Sequence, residues 1–300
     1  MAEYHTAFKF DTVLVLDSLP LDEDPQTGVW LRDTVLQPLA DAHGFVTGYS
    51  RVENSAELFA ALANVERLVT EAGRGPIVHF ETHGVPEGLV LADRSIIPWS
   101  SLKAPLTAIN RASRMNLLTV MSMCHGTHLI SQLLPIDPSP VWALIGAGFE
   151  IFPCRLQEAF EAFYTELLSA LNGRAAIEAM NARRANEEWD LTIDLAEIWF
   201  CRIWRRYEQE LCTTDELKAC ENRLVEKLMR QSGYDLRYAM LGRVHAREFL
   251  CGNEKLFNKF RRSFLMIDSF PESEARFPLT YRHCIDAAYQ HLQPSAGASR

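Results

Sequence analysis

The chain has 300 residues, 48% apolar and 23% charged, a balance that supports a buried core and excludes a disordered or fibrous polypeptide. Its net charge of −9 argues against a general nucleic-acid binder. No apolar run approaches the length of a membrane span, and Met1 to Lys9 lacks the basic start and apolar stretch of a secretory signal.

The first half alternates strand and helix patterns. Thr12 to Leu16 is a short apolar run ending at Asp17-Ser18, which reads as a buried parallel strand. Val29 to His43 has helical spacing and stops at Gly44; Phe45 to Tyr49 is strand-like. Ser55 is placed to cap a helix carrying Leu58, Leu62, Val65 and Leu68, which ends near Gly73. The run Pro76 to Glu81 is the next strand and delivers Thr82-His83-Gly84. Gly88 to Asp93 reads as a hairpin, and Trp99 to Ala112 as a helix interrupted by Pro105. Asn116 to Met123 is an apolar strand that stops at Cys124-His125-Gly126. A short helix over His128 to Leu134 and a core strand within Ser139 to Gly148 follow. The stripe Leu156, Phe160, Phe163, Leu167 and Leu171 predicts a helix closed by Gly173. Such alternation predicts an α/β fold, a mostly parallel sheet flanked by helices.

After about residue 182 the strand signals vanish. Thr213 with Glu216 forms a capping box ahead of Leu217, Cys220, Leu224 and Leu228. Asn253 caps a helix with Leu256, Phe260, Phe264 and Leu265 on one side, and Tyr281 to Leu292 is a last helix before a loose tail. Trp199 to Tyr207 reads as a helix with an aromatic core face and a basic outer face, with a docking surface as the sharper reading. The expected division is residues 1–182 as the α/β domain and 183–300 as a helical region. Residues up to 182 carry about −10 of charge and the rest is near neutral, which suits either a solvated surface or basic partners. Seven cysteines, at 124, 154, 201, 212, 220, 251 and 284, show no paired spacing, which predicts reduced thiols in a cytoplasm.

His83 and Cys124 carry the chemistry. Each ends an apolar strand, and parallel sheets place their sites at the carboxyl ends of strands. If the two strands are neighbours, an imidazole stands beside a thiol and raises its thiolate content. The main-chain N–H groups of Gly84 and Cys124 would then form an oxyanion hole. His125 and His128 are placed to assist, Cys124, His125 and His128 are a thin set of metal ligands, and Glu81 can orient a neighbouring polar group or serve the structure. Gly146-Ala147-Gly148 lacks the context of a dinucleotide loop.

Strand then His-Gly, and strand then Cys, resembles caspase-like cysteine peptidases, and within them the bacterial CHAT-domain branch. The segment Val78 to Gly84, the hairpin Leu89 to Asp93 with Ile96 to Leu102, the strand Val141 to Gly148, and Phe160, Tyr164, Leu168, Gly173, Ala176 and Met180 carry the resemblance over residues 55–182. It implies His83 as catalytic histidine, Cys124 as nucleophile and Gly84 as oxyanion glycine. Met123 departs from the usual small residue before the nucleophile, and Ser122 stands where metacaspases have Asp. Ser122 and Glu150 are the candidate substrate-pocket residues; Glu150 would favour Lys or Arg before the cut, or is a solvated strand-end carboxylate. The resemblance implies a cytoplasmic bacterial protease of regulation or antiviral defence that needs no cofactor. It would cut a protein substrate under an activator or regulatory protein, with no direct nucleic-acid or membrane partner. A catalytically silent scaffold binding a partner is the competing class, and a helical adaptor on a sheet platform is another.

Overall fold

The computed structural model describes residues 8–182, 191–212, 214–231 and 253–285. They divide into two compact units, one of residues up to 133 with 139–196, the other of 134–138 with 197–293.

The first unit is an α/β layer structure. Strand β1 (Thr12–Asp17) is followed by helix α1, which runs 27–43 as Thr27–Trp30, a π-helical stretch Leu31–Leu36, and Gln37–His43. The π turns lie just ahead of Pro38, whose missing N–H breaks the regular ladder there. Gly44 closes the helix at φ 78°, a left-handed conformation glycine adopts at no steric cost. Strand β2 (Val46–Arg51) and helix α2 (Ser55–Ala72) follow. The cap of α2 is Asn54, one residue before the expected Ser55: its side chain accepts from the N–H of Glu57, and Glu57 accepts in return from the N–H of Glu53. Val69 is buried with Leu58, Leu62 and Val65, in place of the expected Leu68.

Strand β3 (Pro76–Glu81) is buried along its whole length. It leads into a small antiparallel sheet of β4 (His83–Val85), β5 (Gly88–Val90) and β6 (Ile96–Pro98). Helix α3 (Trp99–Ala112) contains Pro105 without breaking, because the carbonyl that loses its donor belongs to exposed Ser101, where water can replace it. Strand β7 (Leu118–Ser122), a 3₁₀ stretch Gly126–Gln132 and strand β8 (Ala143–Gly146) come next. Helix α4 (Pro153–Ala170) buries Leu156, Phe160, Phe163 and Leu167 of the expected stripe and ends on Leu171, which is exposed at φ 53° and does not join it. Gly173, expected to close that helix, opens the next one, α5 (Gly173–Ala182).

The main sheet has the order β2-β1-β3-β7-β8-β9 and is parallel except for β9 (Thr192–Leu195), which pairs antiparallel with β8. Strand signals therefore do not vanish at 182. Four residues of alternating polarity, Thr-Ile-Asp-Leu, are too short to stand out in the sequence, and pairing at a sheet edge supplies what their pattern does not. Helix α1 packs with α4, α4 with α5, and α2 with α3.

The second unit is helical among its described residues: α6 (Ala196–Arg206) continuing as a π stretch Tyr207–Leu211, α7 (Thr214–Gln231), α8 (Glu254–Phe264), α9 (Ser273–Arg276) and α10 (Tyr281–Ile285). Trp199, Phe200 and Trp204 are fully buried, so the aromatic face of the 199–207 run is core. Phe257 lies edge-on to Trp204 with ring centroids 5.3 Å apart, and Asn253 caps α8 as expected. Thr213, the side chains of Leu217, Cys220, Leu224 and Leu228, and the segment from 286 onward, with most of the expected last helix, lie outside the described residues.

The expectation of uniformly reduced thiols fails at Cys201 and Cys284. They form a disulfide across Cα atoms 5.1 Å apart. A separation of 83 residues carries no spacing signal; α6 and α10 have to meet before the pair exists. No described helix is long and apolar enough to cross a membrane.

Candidate active site

Strands β3 and β7 are parallel neighbours, in register from Ile77 opposite Leu118 to Glu81 opposite Ser122. His83 and Cys124 each stand two residues beyond that last pair, at the carboxyl edge of adjacent strands. Gly84 packs directly on the cysteine's main chain: a Cβ there would lie 1.8 Å from the carbonyl oxygen of Cys124. The chain then turns sharply at His125, whose φ of 58° is left-handed and costs about 1 kcal/mol for a residue with a Cβ. Its N–H donates to the carbonyl of Phe149 at 3.2 Å.

His83 and Cys124 are each bonded elsewhere. The Nε2 of His83 lies 2.7 Å from the Oε2 of Glu23, with both side chains partly exposed. The half-buried Cys124 sulfur accepts the N–H of Ile151 at 3.3 Å and donates to the Ile151 carbonyl at 3.6 Å. The Ile151 main chain thus lies against the thiol through both its polar groups.

At these strand ends runs a polar row, buried except for the half-buried Arg51. Arg51, Asp17, Glu81 and Ser122 occupy the last register positions of β2, β1, β3 and β7. Glu81 Oε1 accepts from Thr27 Oγ1 at 2.5 Å and from Ser122 Oγ at 3.1 Å. Its Oε2 meets His79 Nε2 at 2.7 Å, and His79 Nδ1 meets the Tyr164 hydroxyl at 3.0 Å. Asp17 accepts from the N–H of Leu19 at 2.9 Å, from Tyr49 Oη at 2.7 Å and from Arg51 at 3.4 Å. Burial raises the Asp17 carboxyl above its usual range, against the lowering effect of the Leu19 and Tyr49 hydrogen bonds. Burial, then the Asp17 contact, pushes the Tyr49 phenol up to about 12, and burial raises Tyr164 well above its ordinary value. Gly28 faces this row: a Cβ there would lie 2.3 Å from Asp17 Oδ2.

Of the residues singled out in the sequence, the fold brings His83, Gly84 and Cys124 to one edge. Ser122 is buried with its hydroxyl turned to Glu81, beneath the edge and not on it. Glu150 is exposed and precedes Ile151, the residue bonded to the thiol. His128 Nδ1 lies 3.3 Å from the Pro86 carbonyl, and its ring is 5.0 Å from that of His125. Among the described residues no three His, Cys, Asp or Glu side chains gather as a metal site. Glu81 serves the buried network. Glu23 and Ile151 had no assigned role: Asp22, Glu23 and Asp24 are consecutive carboxylates, and nothing in their order marks the middle one.

No protein-family model matches the chain, and no curated protein does. Among solved structures, the crystal structure of Chaetomium thermophilum Raptor is similar at 10% identity and a TM-score of 0.33, over 96% of this chain and 29% of that one. The chain therefore spans less than a third of the length of that protein.

Proposed function

We propose that the protein is a cysteine endopeptidase of caspase-like, CHAT-type character, acting through His83 and Cys124. The observation that carries this reading is the parallel β3–β7 register, which ends both strands at the same edge and sets an imidazole-bearing and a thiol-bearing residue at matching positions beyond it. In the reaction, the Cys124 sulfur attacks the scissile carbonyl carbon and its proton passes to His83. The N–H groups of Gly84 and Cys124 take the developing oxyanion. The C–N bond breaks as His83 protonates the leaving amine, giving a thioester. Water, deprotonated by His83, then releases the acid product and restores the thiol. A pocket that includes Glu150 favours Lys or Arg in the substrate; the Ser122 hydroxyl is bonded to buried Glu81. No cofactor enters these steps.

The substrate is a protein, and the setting is regulatory or antiviral proteolysis in a cytoplasm. The Cys201–Cys284 bridge is the observation that pulls against a reducing compartment, and a thiol count on protein isolated under acid quench decides between them. The helical region, 183–300 in the sequence reading, is proposed to bind an activator or regulator.

A second reading, a catalytically silent scaffold that binds a partner, is favoured by one observation: His83 is bonded to Glu23 and Cys124 to Ile151, not to one another. Cleavage-site mapping across a proteome, comparing the native chain with Cys124→Ala and His83→Ala, tests the choice. The peptidase reading expects new termini that vanish in both variants and persist in Cys154→Ala. Termini unchanged in Cys124→Ala would assign the nucleophile elsewhere; none in any chain would favour the scaffold.

A further inference from the structure

We propose that Glu23 is a positioning residue for His83, its carboxylate fixing the ring's tautomer and direction for reaction with Cys124; this rests on the cysteine-peptidase reading of the same site. An ionised carboxylate only accepts hydrogen bonds, so the 2.7 Å contact places the imidazole proton on Nε2. In the neutral ring that leaves Nδ1 as the basic nitrogen, the one available to take the Cys124 proton. When His83 becomes imidazolium, the charge forms beside a carboxylate already in place, which stabilises it without reorganisation.

The loop that carries Glu23 is built to hold it. It leaves β1 at Asp17, whose side chain accepts the N–H of Leu19, and Arg51 donates to the Leu19 carbonyl. The Ser18 N–H donates to the Glu81 carbonyl at 2.8 Å, tying the loop to the strand that leads to His83. The Gln26 amide then donates to the carbonyls of Pro20 and of Glu23 itself, each at 2.7 Å, and the Glu23 N–H donates to Pro20 at 3.1 Å. Glu23 therefore has both its main-chain groups bonded within the loop. Its neighbours Asp22 and Asp24 supply similar charge without the contact to His83, which makes Asp22 a control for charge alone.

The test uses the full chain and needs no substrate. Iodoacetamide alkylates Cys124 by forming a C–S bond as iodide leaves, with the thiol proton taken up by His83. The rate at Cys124 is read by peptide mass spectrometry, and the His83 ring nitrogens by ¹⁵N NMR. His83→Ala is expected to slow alkylation at Cys124 by about a hundredfold. Glu23→Gln is expected to slow it by about tenfold and to remove the single Nε2-protonated signature of His83, with its melting temperature unchanged; Asp22→Asn should stay within about twofold of the native chain. Native rates in Glu23→Gln alongside a slow His83→Ala would overturn the role of Glu23 and leave the dyad standing. Equal slowing by Asp22→Asn and Glu23→Gln would reduce the effect to overall charge and also overturn it. Native rates in His83→Ala would instead remove the peptidase reading on which the proposal rests.

Discussion

Gly84 and Cys124 are in contact through their main chains, with room for a hydrogen and no more between them: a Cβ on residue 84 would lie 1.8 Å from the Cys124 carbonyl oxygen and 3.1 Å from the Met123 side chain. The obstacle is main chain just past the end of β7, which cannot swing aside as a flexible side chain can. Gly84→Ala should therefore cost about 2 kcal/mol or more by overpacking and displace the end of β7. Urea denaturation together with labelling of Cys124 measures both effects; native stability and native labelling would show slack at this edge.

The Cys124 sulfur is satisfied as donor and acceptor by Ile151: the carbonyl suits the thiol, and the N–H suits the thiolate. Replacing Ile151 by proline removes the N–H and leaves the carbonyl. A hydrogen bond is worth about 1 kcal/mol, so alkylation of Cys124 should slow by about fivefold. An unchanged or faster rate would mean that the Ile151 N–H does not support the thiolate.

His79 is fully buried between Glu81 and Tyr164. His79→Ala leaves a buried carboxylate oxygen and a buried hydroxyl without this partner, and should destabilise the chain by about 3 kcal/mol. Tyr164→Phe removes one hydroxyl from the same chain of bonds and should cost about 1 kcal/mol. Equal, small losses in chemical denaturation would show that the network contributes little.

Tyr49 and Tyr164 bring a stability loss in alkali. Both phenols are raised in the folded chain, Tyr49 to about 12 from an ordinary value of 10.0. Above that ordinary value the unfolded chain loses these protons while the folded chain keeps them. The unfolded state then binds fewer protons, and stability falls as pH rises toward the folded value. Urea midpoints at pH 8, 9.5 and 11 should decline for the native chain. Tyr49→Phe should start lower, having lost its bond to Asp17, and decline less steeply; parallel curves for the two would contradict the assignment to Tyr49.

A fragment ending at residue 182 lacks β9 and exposes the edge of β8 from Ala143 to Gly146. Unpaired apolar edges recruit other chains. A 1–182 fragment should aggregate where a 1–196 fragment stays monodisperse, as read by size-exclusion chromatography with light scattering. Equal behaviour would make β9 dispensable to the sheet.

Most of the sheet was legible because apolar runs of four to eight residues, each followed by a helical stripe, leave few alternatives to a parallel layer. Pro76 to Glu81 and Asn116 to Met123 announced β3 and β7, and the abrupt change to His83 and Cys124 marked their carboxyl ends. Local misreadings arose where two residues offer the same local chemistry: Asn54 and Ser55 can both cap, and Leu171 took the left-handed position expected of Gly173. Strand β9 escaped because its four residues gain their order from β8 and not from their own pattern.

By itself the order of residues determined the layer architecture and the strand ends at which His83 and Cys124 stand, since hydrophobic periodicity and strand length are properties of a dozen neighbouring positions. What touches those side chains was decided only in three dimensions. Glu23 is 60 residues from His83 along the chain, Ile151 is 27 from Cys124, and Cys201 is 83 from Cys284. Contacts across such separations depend on which strands pair, in what register, and where the connecting loops return. No local pattern encodes them, because each becomes favourable only after the sheet and helices have fixed the chain around it.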